Sequence, residues 1–146
     1  MSWANFAKAM PELASFGQQR LAAGPAYLAT IRADGWPRVH PITPIIGGER
    51  LFVFMEPTSP KGHDLRRNGR YTLHCGVGDN NGGLGEFYVS GTAQLVTSQE
   101  ERAIAEEAAT YEPAARYILF ELDVTRAFST VYAGDQPIRQ SWKAPQ

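Results

Sequence analysis

A change of hydrophobic period at residue 27 constrains this chain more than any other feature. Upstream, Trp3, Phe6, Met10, Leu13 and Phe16 recur at three- and four-residue spacing, the mark of helix. Pro11 and Gly17 divide residues 3–23 into two short helices, and Gly24-Pro25 closes them. From Tyr27 the period is two. Tyr27, Ala29 and Ile31 share one face of a strand, and Asp34-Gly35 signals a hairpin. After residue 23 the chain must therefore build a sheet out of hairpins.

The remaining segments agree. The returning strand, 37–46, carries Pro37, Pro41 and Pro44, which suits an edge or bulged strand. Gly47-Gly48 makes the next turn. Residues 51–55, Leu-Phe-Val-Phe-Met, are apolar on both faces and predict a deeply buried strand. Residues 58–68 form a short helix with Thr58 or Ser59 as N-cap, Pro60 in the first turn and Gly69 as the stop. Strands follow at 71–77 and 86–96, separated by a Gly- and Asn-rich loop. Ser98 and Glu101 form a capping box that opens a helix to about residue 111. The last strands are 116–124 and 127–132, and 133–146 reads as a tail. Strands and helices do not alternate, so the expected architecture is mainly β, a closed or nearly closed antiparallel barrel with short flanking helices. Residues 1–146 make a single domain, with helices in 1–23 and the tail at the end.

Composition removes several function classes. The chain carries 14 Lys+Arg against 15 Asp+Glu, a net charge of −1, so it lacks the basic excess that nucleic acid or an anionic membrane would select. Its single cysteine, Cys75, excludes an intrachain disulfide and a cysteine-based zinc site. His40, His63 and His74 are scattered, and His74 and Cys75 are strand neighbours that point to opposite faces, so no metal site is expected. No apolar run approaches the roughly 20 residues of a membrane helix. The start, Met1-Ser-Trp-Ala-Asn-Phe, lacks a secretory pattern, and a cytoplasmic protein is expected.

Two stretches could carry chemistry. Thr58-Ser-Pro-Lys-Gly62 opens a helix, whose first turn presents unpaired N–H groups and a partial positive charge suited to an anion such as phosphate. Ser59 adds a hydroxyl, Lys61 a full charge, and Arg38 a guanidinium fork from a nearby strand. The same residues would equally make a well-capped surface helix with a solvated lysine. In the second stretch, His40, Ile42 and Pro44 alternate with Val39, Pro41, Thr43 and Ile45, and a proline-rich strand leaves backbone groups open to a ligand or to solvent. Gly76-Val-Gly-Asp-Asn-Asn81 lacks the final glycine and the following helix of a dinucleotide fingerprint. No nucleophile-elbow motif occurs.

Taken in order, Ala26-Tyr-Leu-Ala-Thr-Ile31, Gly35-Trp-Pro-Arg-Val-His-Pro-Ile42, Leu51-Phe-Val-Phe54 and Ser59-Pro-Lys61 leading into Asp64-Leu-Arg-Arg-Asn68 resemble the pyridoxamine 5′-phosphate oxidase-like, FMN-binding split barrels over roughly residues 24–125. The resemblance implies a six-stranded split barrel and a homodimer with FMN in clefts at its interface. It implies cofactor contacts from Arg38, Val39, His40, Pro41, Ile42 and Thr43, from Phe54 and Met55, and from Ser59 and Lys61 at the phosphate. It further implies an FMN-dependent oxidoreductase with a small-molecule substrate. Alternatives within the fold are a non-catalytic flavin carrier and a haem or deazaflavin binder. The chain departs from the oxidase itself at Pro60, where the oxidase has Arg, and at Glu86, where it has Gln. It also lacks an Arg-rich C-terminal segment, leaving Arg139 and Trp142 as possible cap residues. Pyridoxamine 5′-phosphate is therefore not the expected substrate.

Overall fold

The computed structural model describes residues 2–146. In chain order, α1 (Trp3–Ala9) and α2 (Pro11–Ala22) precede β1 (Ala26–Ile31), β2 (Pro37–Ile42), β3 (Ile45–Gly47) and β4 (Arg50–Met55). Then come α3 (Pro60–Arg67), β5 (Arg70–His74), β6 (Glu86–Leu95), α4 (Gln99–Ala108), β7 (Ile118–Leu122), β8 (Arg126–Ala133) and β9 (Gln136–Lys143). All pairings are antiparallel, in the order β2-β1-β5-β6-β7-β4-β3, with β8 and then β9 branching from β6. β2 and β3 are the two ends of this path and do not pair with each other, so the curled sheet is split between them.

The described chain thus has nine strands, two more than the seven segments read from the sequence and three more than the six that the resemblance implies. One extra arises because Pro44 interrupts the stretch expected at 37–46, turning it into β2 and β3. Another is β9, which replaces the expected tail. It pairs with β8 along its whole length, from Arg126 opposite Lys143 to Ala133 opposite Gln136. Gly134, at φ 67°, makes the turn between them. Trp142 accordingly belongs to this chain's own interior, with its ring 5.2 Å from that of Phe6, and Arg139 sits mid-hairpin opposite Thr130.

The first helices plug the barrel. Trp3 and Phe6 are buried and their rings meet Phe87 at 6.3 and 6.4 Å. A seven-residue helix such as α1 is too short to persist on propensity, so this packing holds it in place. Gly17 does not break α2. A Cβ there would stand 2.3 Å from the Phe87 ring, so the glycine serves close packing. The turn expected at Gly47-Gly48 is one residue later, because Gly47 still pairs with Arg50. Gly48 and Glu49 occupy the loop at φ 58° and 62°.

β4 is buried along residues 51–55, Val53 facing the main core and Phe52 and Phe54 a second cluster beneath α4. β6 joins the two parts of the barrel, pairing with β5 and β8 early and with β7 late. Gly91 lies at the changeover, where a Cβ would be 1.9 Å from the Asp123 carbonyl oxygen. No helix among the described residues is long and apolar enough to cross a membrane.

Candidate functional site

β2 is an edge strand with proline at two positions, and the register explains why it survives. The hydrogen bond from the Arg32 N–H to the Trp36 carbonyl, at 2.8 Å, closes the β1–β2 hairpin. Because backbone direction alternates, Arg38, His40 and Ile42 turn their N–H and C=O groups toward β1. Pro37, Val39, Pro41 and Thr43 turn theirs to the open edge, where a proline forfeits no ladder bond. The side chains sort likewise. Ile42 enters the core, Arg38 and His40 lie on the side of α3, and Val39 and Pro41 are exposed on the outer face.

Ser59 caps α3. Its hydroxyl accepts the Gly62 N–H at 3.2 Å and donates to the Glu56 carbonyl at 2.8 Å, so both of its functions are engaged. Pro60 has no N–H, and the His63 N–H goes to the Ser59 carbonyl at 3.1 Å. The backbone N–H of Lys61 is the open donor of the first turn. Gly62 is required here, since a Cβ would meet the Ser59 hydroxyl at 2.9 Å and the Met55 sulfur at 3.4 Å. That contact seats α3 against the end of β4.

Asp64 organises the polar side of the site. It is 3% exposed and receives Thr30 at 2.7 Å and Arg38 at 2.8 Å on one oxygen, and Arg67 at 3.2 Å on the other. Burial alone would raise its carboxyl pKa, but hydrogen bonds from Arg38, Thr30 and Arg67 outweigh it and hold the pKa below the usual carboxylate range. Sequence reasoning missed this role, because Thr30 and Arg38, which define it, lie on strands distant in the chain. A usable signal was present: Asp64 lies one turn inside α3, on the side of its buried Leu65.

Lys61 has no carboxylate partner among the described residues. Burial lowers its pKa, as expected of an ammonium part-removed from water without an anion beside it. His40 is shifted down as well, first by burial and then by Lys61 and Arg38, so its imidazole is neutral near pH 7. Together Lys61, Arg38 and His40 form a half-exposed electropositive shelf between α3 and β2. A phosphate fits this donor set: it would take the Lys61 ammonium and N–H, and the guanidinium hydrogens of Arg38 that Asp64 leaves free.

Other candidates lie apart from the shelf. Phe54 is buried under the Arg102 guanidinium, 5.1 Å from its ring centre, and Met55 is buried against α3. Only their backbone could touch a ligand. Thr43 lines a mainly apolar cavity of about 340 Å³ with Leu21, Pro44, Ile45 and Ala108, at the split end of the barrel. Glu86 opens β6 and lines the loop cavity near Asp79 and Tyr132, far along the sheet from Lys61. Among the described residues no group of three His, Cys, Asp or Glu side chains could hold a metal.

A family model described as pyridoxamine 5′-phosphate oxidase matches residues 12–130. The chain belongs to the pyridoxamine 5′-phosphate oxidase family. Solved structures agree with its split antiparallel barrel. A haem-binding protein from Mycobacterium smegmatis superposes with a TM-score of 0.69 at 17% identity over 88% of this chain and 57% of that one. This chain thus spans little more than half of that protein. A NimC/NimA family protein from Clostridium acetobutylicum gives 0.65 at 18% identity, covering 92% and 93% of the two chains. A conserved hypothetical protein from Mycobacterium tuberculosis gives 0.66 at 19%, covering 80% and 82%. At these identities the likeness is one of fold. No curated protein matches the sequence.

Proposed function

We propose that this chain binds FMN on the α3–β2 shelf, works as a homodimer, and serves as a flavin-dependent oxidoreductase for a small molecule other than pyridoxamine 5′-phosphate. The observation that carries the reading is Lys61: a part-buried ammonium at a helix N-terminus, with no anion of its own, beside Arg38 and a neutral His40. Membership of the family gives it context.

When bound, the flavin would supply hydride and electron transfer. The chain's own residues bind and orient. Lys61 and Arg38 neutralise the phosphate, Asp64 fixes the direction of Arg38, and the open edge of β2 offers the Val39 N–H and C=O to a flat polar ring. The shelf is open to water on its outer side. Val39, at 64% exposure, and Pro41 stand on the outer face of β2 with Tyr27 of β1 opposite Pro41, an apolar face suited to a second copy that would close over the β2 edge and the cofactor. The strand at 51–55 and the inward row of the strand at 86–96 are not available for that role, because the chain's own core already fills them.

A haem reading has one observation in its favour, a neutral and accessible His40 beside cationic groups that suit propionates; the haem-binding fold neighbour makes it worth testing. Absorption spectroscopy of the protein incubated with FMN or with haem separates the two. The expected outcome is saturable quenching of FMN fluorescence and no stoichiometric haem Soret band. Haem bound one to one with FMN unbound would overturn the flavin reading.

A further inference from the structure

The tip of the β1–β2 hairpin carries an indole that the chain's own core does not use. The Arg32 N–H bond to the Trp36 carbonyl extends the ladder by one pair beyond Ile31 and Pro37. Side chains alternate along a strand, so Arg32 and Trp36 share the face of Thr30 and Arg38, the face that reaches Asp64 of α3. It is the opposite face from Val39, Pro41 and Tyr27, so the proposed partner surface does not include it. Trp36 is 70% exposed, and its ring makes no stacking or cation contact among the described residues.

Beside this tip runs a groove of about 380 Å³, within the ordinary range of small-molecule sites. Arg32, Asp34, Arg38, Pro60, Asp64 and Arg67 line it, and because Pro60 adjoins Lys61 the groove continues the shelf toward the hairpin. Its ion pairs do not balance. Arg32 has Asp34 at 3.4 Å, while Arg38 and Arg67 divide Asp64 between them at 2.8 and 3.2 Å. Three guanidiniums against two carboxylates leave one positive charge in the groove, and Lys61 adds another at the shelf end. The surplus is therefore spread along the site. A phosphate monoester gathers about two negative charges on one phosphoryl group, whereas a pyrophosphate diester carries one on each of two.

We propose that the groove takes the adenosine phosphate half of a flavin dinucleotide, so that the site holds FAD more tightly than FMN. The inference rests on the flavin reading and deepens it. Lys61 binds the phosphoryl group next to the flavin, and Arg32 and Arg67 bind the second. Arg67 spends only its Nη2 on the Ile31 carbonyl and Asp64, which leaves its other donors for that group. Trp36 offers an open ring face to the adenine, and such stacking accepts a base without any rearrangement of the core.

The test is calorimetric titration of the full chain with FMN, FAD and ADP. FAD is expected to bind at least roughly tenfold more tightly than FMN. Trp36→Ala and Arg32→Gln should each weaken FAD about tenfold and leave FMN affinity as it is, which also shows that the variants fold. Trp36→Phe, which keeps a ring to stack on, should retain most of the preference for FAD. FAD no tighter than FMN, variants that weaken both flavins alike, or ADP alone as tight as FAD would overturn the proposal. FMN bound with FAD excluded overturns the groove and leaves the shelf standing; neither flavin bound overturns both.

Discussion

Asp64 holds three donors with one buried carboxylate, and its loss should be felt twice. Asp64→Asn keeps the shape and removes the charge that orients Arg38 and Arg67. Both arginines keep partial access to water, at 30% and 41% exposure, so the cost falls below that of a sealed ion pair, about 1–3 kcal/mol in urea unfolding. The pH dependence has a definite sign. The folded pKa of Asp64 is depressed, so its contribution is present above the unfolded value and lost as pH falls through the folded one. Wild type should therefore lose stability relative to Asp64→Asn on acidification below about pH 4. A difference between the two proteins that stays constant from pH 7 to pH 2.5 would show that Asp64 is not the hub described.

Among the elements, β6 does the most to set the barrel, and its changeover depends on a residue without a side chain. Gly91→Ala would drive a Cβ into the Asp123 carbonyl at 1.9 Å, backbone that cannot rotate away. Overpacking of this kind costs typically 1–3 kcal/mol or more, and a lowered unfolding midpoint without change in m-value is the expected result. Unchanged stability would mean that the two parts of the sheet can separate freely. The contrast between β6 and β9 shows what a sequence exposes. Phe87, Val89 and Ala93 alternate because one face of β6 is buried, and that period is legible. Along β9 only Trp142 is substantially covered, so its ladder is made by backbone pairing that leaves little trace in residue types. The one legible signal was Gly134-Asp135, a two-residue hairpin turn. The Ser59 cap and the Pro60 start of α3 were equally plain, because capping is local chemistry. The partners of Asp64 were not, because Thr30 and Arg38 reach it from strands 34 and 26 residues away.

For the whole molecule, the proposed self-association would use the apolar outer face of β1 and β2. Val39 and Tyr27 are exposed at 64% and 47% with Pro41 between them, an apolar face on two adjacent strands that a partner would cover. Sedimentation at micromolar concentration should give about twice 16.1 kDa for wild type, and a shift toward monomer for Val39→Asp. A wild-type mass of one chain would contradict the homodimer, and with it the covering of the shelf. The central claim is narrower and more directly exposed to test: the Lys61 shelf holds a phosphate. Calorimetric titration of FMN and of riboflavin, which differ only in that phosphate, isolates it. Wild type should bind FMN far more tightly than riboflavin. Lys61→Ala should lose roughly 10–100-fold for FMN, the equivalent of about 1.5–3 kcal/mol, with riboflavin affinity unchanged. If FMN and riboflavin bind wild type alike, or Lys61→Ala leaves their ratio intact, the shelf is not a phosphate site.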